Sequence, residues 1–123
     1  MNHVKRTQTI RFFEQQIELY QTQIQTLTAD HRMDEANFVK IQLNIFSLFH
    51  SVFTAAIRIC GDDDVQLRKF FQEKMQQISQ NWSDSLKKAQ SYDCTEKAHI
   101  EQLKLTAADQ ICEALYAIWE DRP

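Results

Sequence analysis

The chain has 123 residues, a formal net charge of −3, one Gly and one Pro, the Pro being the last residue. With so little turn-forming punctuation, an all-β fold built on tight hairpins is excluded, as are collagenous, Pro-rich and Gly/Ser-linker classes. Hydrophobic residues make up 43% and charged residues 25%, a globular composition, and this length predicts one domain over residues 1–123.

The mild acidity disfavours non-specific nucleic-acid binding. His3, Lys5, Arg6 and Arg11 precede the first acid, Glu14. They are expected to form a solvated N-terminal turn, because a phosphate-contacting arm needs more positive charge. The longest apolar region, Ile41 to Cys60, is interrupted by Gln42, Asn44, Ser47, His50, Ser51, Thr54 and Arg58. It therefore falls short of the roughly 20 apolar residues that span a bilayer. No apolar segment follows the basic N-terminus as in a signal peptide. Cys60, Cys94 and Cys112 are odd in number and lack metal-ligand spacing, which fits a reducing compartment. The expected location is cytoplasmic, with no membrane and no nucleic acid as partner.

In chain order, residues 7–29 predict a first helix. Ile10, Phe13, Ile17, Tyr20, Ile24 and Leu27 follow alternating steps of three and four, a seam for antiparallel neighbours, with Thr7 as the expected cap. Asp30, His31 and Arg32 form the break. The second helix runs from about Asp34 to Cys60, with acids at its positive end and Gly61 just past its C-terminus. Its regular seam is Phe38, Ile41, Ile45, Leu48, Val52, Ala55 and Ile59. Asp62, Asp63 and Asp64 open a third helix that runs to about Ala89, with Leu67, Phe71, Met75, Ile78, Trp82, Leu86 and Ala89 on one face. Asp93 and Glu96 have the spacing of a capping box, and the fourth helix runs from about Thr95 to Trp119. Short connections make neighbours antiparallel, so the predicted fold is all-α, an up-down-up-down four-helix bundle, with a repeat-like helical array as the alternative.

The helix faces are unequal. At 100° per residue, the first and third helices carry apolar arcs of roughly 100°, one buried stripe each. The second carries an arc of roughly 220°, twice what one stripe needs. It runs from Ile41, Leu48 and Ile59 through Phe38, Phe49, Phe53 and Phe46 to Val39, Ile57 and Leu43. The fourth is also wide: Leu103, Ala107, Ile111 and Ile118 form one stripe, which Leu115, Ala108, Trp119, Cys112, Leu105 and Tyr116 continue. Surplus apolar surface is covered by a central position in the bundle or by a partner. Phe12 and Leu19 on the back of the first helix, and Phe70 on the third, lie outside the main stripes.

Familiar chemistries lack their parts. Gly61 stands alone, so phosphate-binding Gly-rich loops and a Gly-x-Ser-x-Gly elbow are excluded. Cys94 and His99 are the nearest approach to zinc spacing, and two ligands do not make a site. Glu96 and His99 form one Glu-x-x-His where di-iron bundles use two plus further acids, and His99 falls on the solvated face. The cluster of Asp62, Asp63 and Asp64 lacks the EF-hand pattern, and Asp30, His31, Asp34 and Glu35 read as a hydrated turn. His50 is expected half-buried at the apolar edge of the second helix. Gln42, the one polar residue inside that arc, either fixes register or lies at a boundary. Cys60 and Cys112 are expected as small buried apolar groups near one end of the bundle. No cofactor, metal or catalytic residue is predicted.

The segment Asp34-Glu35-Ala36-Asn37-Phe38-Val39-Lys40-Ile41-Gln42-Leu43-Asn44-Ile45-Phe46, about a tenth of the chain, resembles small uncharacterised helical proteins of Gram-positive bacteria. The resemblance implies a bacterial cytosolic origin and no particular activity. The functional expectation is a non-catalytic interaction or structural module, self-associating as a homodimer or binding another protein. Its expected contact residues are Leu105, Cys112, Tyr116 and Trp119, with Phe46 and Phe53, and with Glu101 and Lys104 at the rim. The alternative is a regulatory bundle holding a small ligand in an apolar interhelical pocket lined by Phe49, Trp82 and His50.

Overall fold

The computed structural model describes residues 2–120. Four helices occupy 91% of them: α1 (His3–Ala29), α2 (Met33–Cys60), α3 (Asp64–Ser91) and α4 (Thr95–Trp119), with no strand among the described residues. Connections of three residues reverse the chain each time, so α1 and α3 run against α2 and α4. This is the all-α bundle with up-down topology that the periodicity predicts.

Each boundary has a local cause. α1 starts earlier than Thr7 because the Asn2 side chain accepts the Lys5 N–H at 2.9 Å, and Asn is among the strongest N-caps. Thr7 lies inside the helix and donates its hydroxyl to the His3 carbonyl at 3.1 Å. Asp63 caps α3 by accepting from the Gln66 N–H at 3.1 Å. The expected capping box of α4 does not form: Asp93 sits in the turn at φ 54°, and Cys94 takes the position before α4 without a side-chain cap. All three turns contain one left-handed residue, His31 (φ 59°), Gly61 (φ 57°) and Asp93 (φ 54°).

In cross-section the bundle is a rhombus. α2 packs against all three other helices, α2 and α4 meet across its short diagonal, and α1 and α3 make no backbone approach. The central position of α2 explains much of its broad apolar arc. The main core gathers Phe13, Phe49, Phe53, Phe71, Leu67, Ile111 and Leu115, all fully buried or nearly so. Its rings meet mostly edge to face, Phe53 on Phe71 at 5.4 Å and Phe49 on Trp82 at 6.0 Å, an arrangement favoured by the ring quadrupoles. A smaller cluster of Leu27, Ala36 and Val39, flanked by Tyr20 and Ile24, closes the far end of the α1–α2 hairpin.

The α1 and α3 seams pack inward as predicted. The α2 seam is corrected: Val39, Phe46, Phe49, Phe53 and Ala56 are buried with Ile45, while Phe38, Leu48 and Ile59 are 40%, 37% and 66% exposed. An arc this wide admits two parallel stripes, and the bundle uses the one that faces α1 and α4 as well as α3. Phe12 also departs from expectation, turning inward against Phe13 and Phe46 at 5.4 and 6.0 Å, whereas Leu19 stays exposed. Phe70 packs against the main core, with Lys74 over its ring.

The basic N-terminus is not a solvated turn. Arg6 Nε donates to Asp64 Oδ1 at 2.8 Å, tying α1 to α3, and Lys5 Nζ donates to the Trp119 carbonyl at 2.7 Å. Arg68 pairs with Glu120 and lies over the Trp119 ring at 5.7 Å. These cross-ties all lie at the end of the bundle where α1 and α3 begin and α2 and α4 finish.

Candidate functional site

The predicted contact residues divide into core and surface. Phe46, Phe53 and Trp119 are buried, at 2%, 0% and 6% exposure, so none of the three can form a docking face. Trp119 closes the core against Phe53 and Phe71. Its indole Nε1 donates to Thr9 Oγ1 at 2.9 Å, and that hydroxyl in turn donates to the Lys5 carbonyl at 2.7 Å. Thr9 is thus fully buried, although its sequence position gives no apolar signal. The buried indole N–H requires an acceptor, and Thr9 supplies it.

Leu105 is half-buried, and Cys112 and Tyr116 are exposed. Cys112 and Tyr116 line a cleft of about 410 Å³ between α3 and α4, floored by Met75, Leu115 and Trp119 and rimmed by Gln72, Gln76, Ser79 and Asp109. The α3 wall carries no apolar periodicity that marks it in the sequence. Its signal is the polar, uncharged set Gln72, Gln76 and Ser79, which runs beside the apolar stripe at helical spacing. Cys112 Sγ lies 3.8 Å from Met75 Sδ. Although the residue as a whole is exposed, its sulfur lies against Met75 in the cleft, and this partial desolvation raises the Cys112 thiol pKa, with the neighbouring Asp109 charge raising it further. At neutral pH the group is therefore a thiol rather than a nucleophilic thiolate. The expectation of a small buried residue is corrected: Cys112 is exposed, while Cys60 is half-buried against the core.

The predicted pocket residues do not surround one space. Phe49 points to α3, meeting Phe71 and Trp82, whereas the His50 ring faces α1 and lies 5.8 Å from Phe13. His50 is half-buried, as its position at the edge of the apolar arc predicts. Glu101 is not at an open rim. It is 6% exposed and takes a 3.2 Å contact from Lys104, whose ammonium also lies 6.0 Å from the Trp82 ring centre. His99 is exposed, with its ring 5.2 Å from Phe38.

Among the described residues, no three or more His, Cys, Asp or Glu side chains form a group that could hold a metal ion. Among the same residues, α2 is the one helix long and apolar enough in composition to cross a membrane, with a mean hydropathy of 1.5 over its most apolar stretch. Its Phe, Ile, Leu and Val outweigh the interrupting polar residues, and Phe46, Phe49 and Phe53 are spent on the bundle core. No family model, curated protein or solved structure matches the chain.

Proposed function

We propose that the chain is a non-catalytic, self-associating helical interaction module of the bacterial cytoplasm. One observation carries this reading. α2 supplies core to all three other helices and still leaves Phe38, Leu48 and Ile59 at the surface. Apolar side chains left at the surface beyond what folding consumes are read as a contact face. The polar groups that meet in the interior, Thr9 with Trp119 and Glu101 with Lys104, are read as ties within and between helices. Light scattering at several concentrations, with native mass spectrometry of protein purified from its own host, tests the reading. A mass above the monomer that grows with concentration supports it. A monomer at about 100 μM, well above a micromolar dissociation constant, with no retained protein, refutes it.

The cleft between α3 and α4 favours a second reading, a small-ligand-binding bundle. Its volume of about 410 Å³ lies within the range of small-molecule sites, and its apolar floor with a Gln and Ser rim suits a small, mainly apolar molecule carrying one or two polar groups. A small molecule retained in the native mass spectrum, and lost on Tyr116→Ala, would support this reading.

A further inference from the structure

We infer that the cleft between α3 and α4 takes a small organic amine, its ammonium at Asp109 and its apolar body running toward Tyr116. The inference rests on the ligand-binding reading of this cleft and names the class of ligand. Helical spacing builds the two walls. Asp109, Cys112 and Tyr116 follow steps of three and four along α4, and Gln72, Gln76 and Ser79 do so along α3. The helices are antiparallel and Met75 meets Cys112 midway. Asp109 therefore lies at the Ser79 end of the cleft and Tyr116 at the Gln72 end. The two ends are about 10 Å apart at 1.5 Å of rise per residue, the reach of a short arylalkyl chain.

Charge selects the occupant. Asp109 is the one charged side chain among the described residues that line the cleft. It is exposed, and it forms no ion pair among those residues. The other wall groups are neutral amides and hydroxyls, and the Cys112 thiol keeps its proton at neutral pH. Arg68, Lys69 and Lys74 stand on the nearby stretch of α3 but do not line the cleft. Arg68 pairs with Glu120, and Lys74 lies over the Phe70 ring. Between Lys104 and Arg122 the sequence has no basic residue, and Glu113, four residues on from Asp109, adds to the negative charge of that helix face. An anion therefore meets repulsion without a counter-charge. A neutral ligand leaves the carboxylate unused, whereas an ammonium gains a charge-assisted hydrogen bond. Ser79, at the same end, offers a hydroxyl acceptor for a second ammonium proton.

The floor sets the rest of the molecule. Met75, Leu115 and Trp119 are buried parts of the core that show one side to the cleft. They are held by their own packing, so the floor is formed before a ligand arrives. The Met75 and Cys112 sulfurs, 3.8 Å apart, lie between the two ends, where sulfur favours contact with an aromatic ring. A phenyl group on a short alkyl chain covers this apolar surface while its amine reaches Asp109, and the volume of about 410 Å³ admits it.

Nuclear magnetic resonance titration of the isotope-labelled full chain with phenylbutylamine, phenylbutanoate and phenylbutanol, each up to about 10 mM, varies the charge at constant apolar body. The amine is expected to bind about tenfold or more tighter than the other two, with amide shifts centred on Asp109, Cys112 and Gln76, and to weaken with added salt. Asp109 is exposed, so its variants should keep the fold. Asp109→Asn is expected to bring the amine down to the alcohol, and Asp109→Lys to place the acid above the amine. If the alcohol or the acid binds the wild-type cleft as tightly as the amine, the inference is overturned and the ligand-binding reading stands. An amine preference that persists in Asp109→Asn also overturns it, because the ammonium then sits elsewhere. Absence of shifts with all three probes overturns it too, and the ligand-binding reading falls with it if the native mass spectrum of the chain from its own host shows no retained small molecule.

Discussion

Replacing Thr9 by Val keeps shape and volume but removes the acceptor for the Trp119 indole. The N–H sits 2.9 Å from Thr9 Oγ1, and both residues are buried, so water cannot take the place of the hydroxyl. A buried donor left unsatisfied costs about 1–3 kcal/mol. Taking ~2 kcal/mol and a urea m-value of ~2 kcal/mol per M, the unfolding midpoint should fall by ~1 M. Trp119→Phe removes the donor instead. It loses packing against Phe53 and Phe71, but Thr9 keeps its bond to the Lys5 carbonyl, so no buried polar group is orphaned. The two costs must therefore couple: in the Trp119→Phe background, Thr9→Val should cost under about 1 kcal/mol, because the N–H it would orphan is already gone. Urea denaturation of the four proteins, followed by far-ultraviolet circular dichroism, measures the cycle. An equal cost of Thr9→Val in both backgrounds would refute the reasoning, since the hydroxyl would then act independently of the indole.

Ile45→Asp should unfold the chain or lower its melting temperature steeply: the side chain is 5% exposed, and an unpaired carboxylate there costs several kcal/mol against a typical domain stability of about 5–15 kcal/mol. Gly61→Ala should cost about 1–3 kcal/mol by thermal melting through backbone strain alone, because Gly61 has φ 57° and ψ −128° and an added Cβ meets no atom within 4 Å. Asp109→Asn should lower the Cys112 thiol pKa by removing the nearby negative charge, while burial keeps it above 9.0; the pH dependence of alkylation with Cys60 and Cys94 replaced by Ser reads the shift. Burial also raises the Tyr20 pKa above 10.0, so the folded state holds that proton more tightly than the unfolded one. Its contribution to stability is full below pH 10.0 and is lost as pH rises through the folded pKa, which denaturant midpoints in alkaline buffers compared with Tyr20→Phe would show.

The elements that sequence reading placed well are those with a single apolar stripe. In α1 and α3, spacing leaves one choice of inner face, and Phe13, Leu27, Phe71 and Met75 occupy it. In α2 the apolar residues run so far around the helix that more than one stripe satisfies the period. The most regular stripe is only partly inward, with Ile45 in the core and Phe38, Leu48 and Ile59 at the surface, because strict alternation reports what could pack against a neighbouring helix, not which neighbour the same chain provides. Trp119 was misplaced for a related reason: the wide arc of α4 does not say where the core ends and the surface begins. Thr9 was invisible because its burial follows from a hydrogen bond to a residue at the far end of the sequence. Of the α3–α4 cleft, Cys112 and Tyr116 were legible as an apolar edge of α4. The facing Gln72 and Gln76 were not, since which helix faces meet depends on how the helices cross.

In most small domains the terminal turns fray first and the middle of the chain opens last. The distribution of ties in this bundle inverts that order. The first turn of α1 and the last turn of α4 are joined through Lys5, Thr9 and Trp119, and the same end is braced by Arg6 with Asp64 and by Arg68 with Glu120. The opposite end, with the turns at 30–32 and 92–94, rests on the small Leu27, Ala36 and Val39 cluster and on the meeting of Phe38 with His99. Local opening therefore separates the two hairpins from the turn end while the first turn of α1 and the last turn of α4 stay together. Slow amide exchange belongs near Thr9 and Trp119, and limited proteolysis belongs at the turns beside His31 and Asp93.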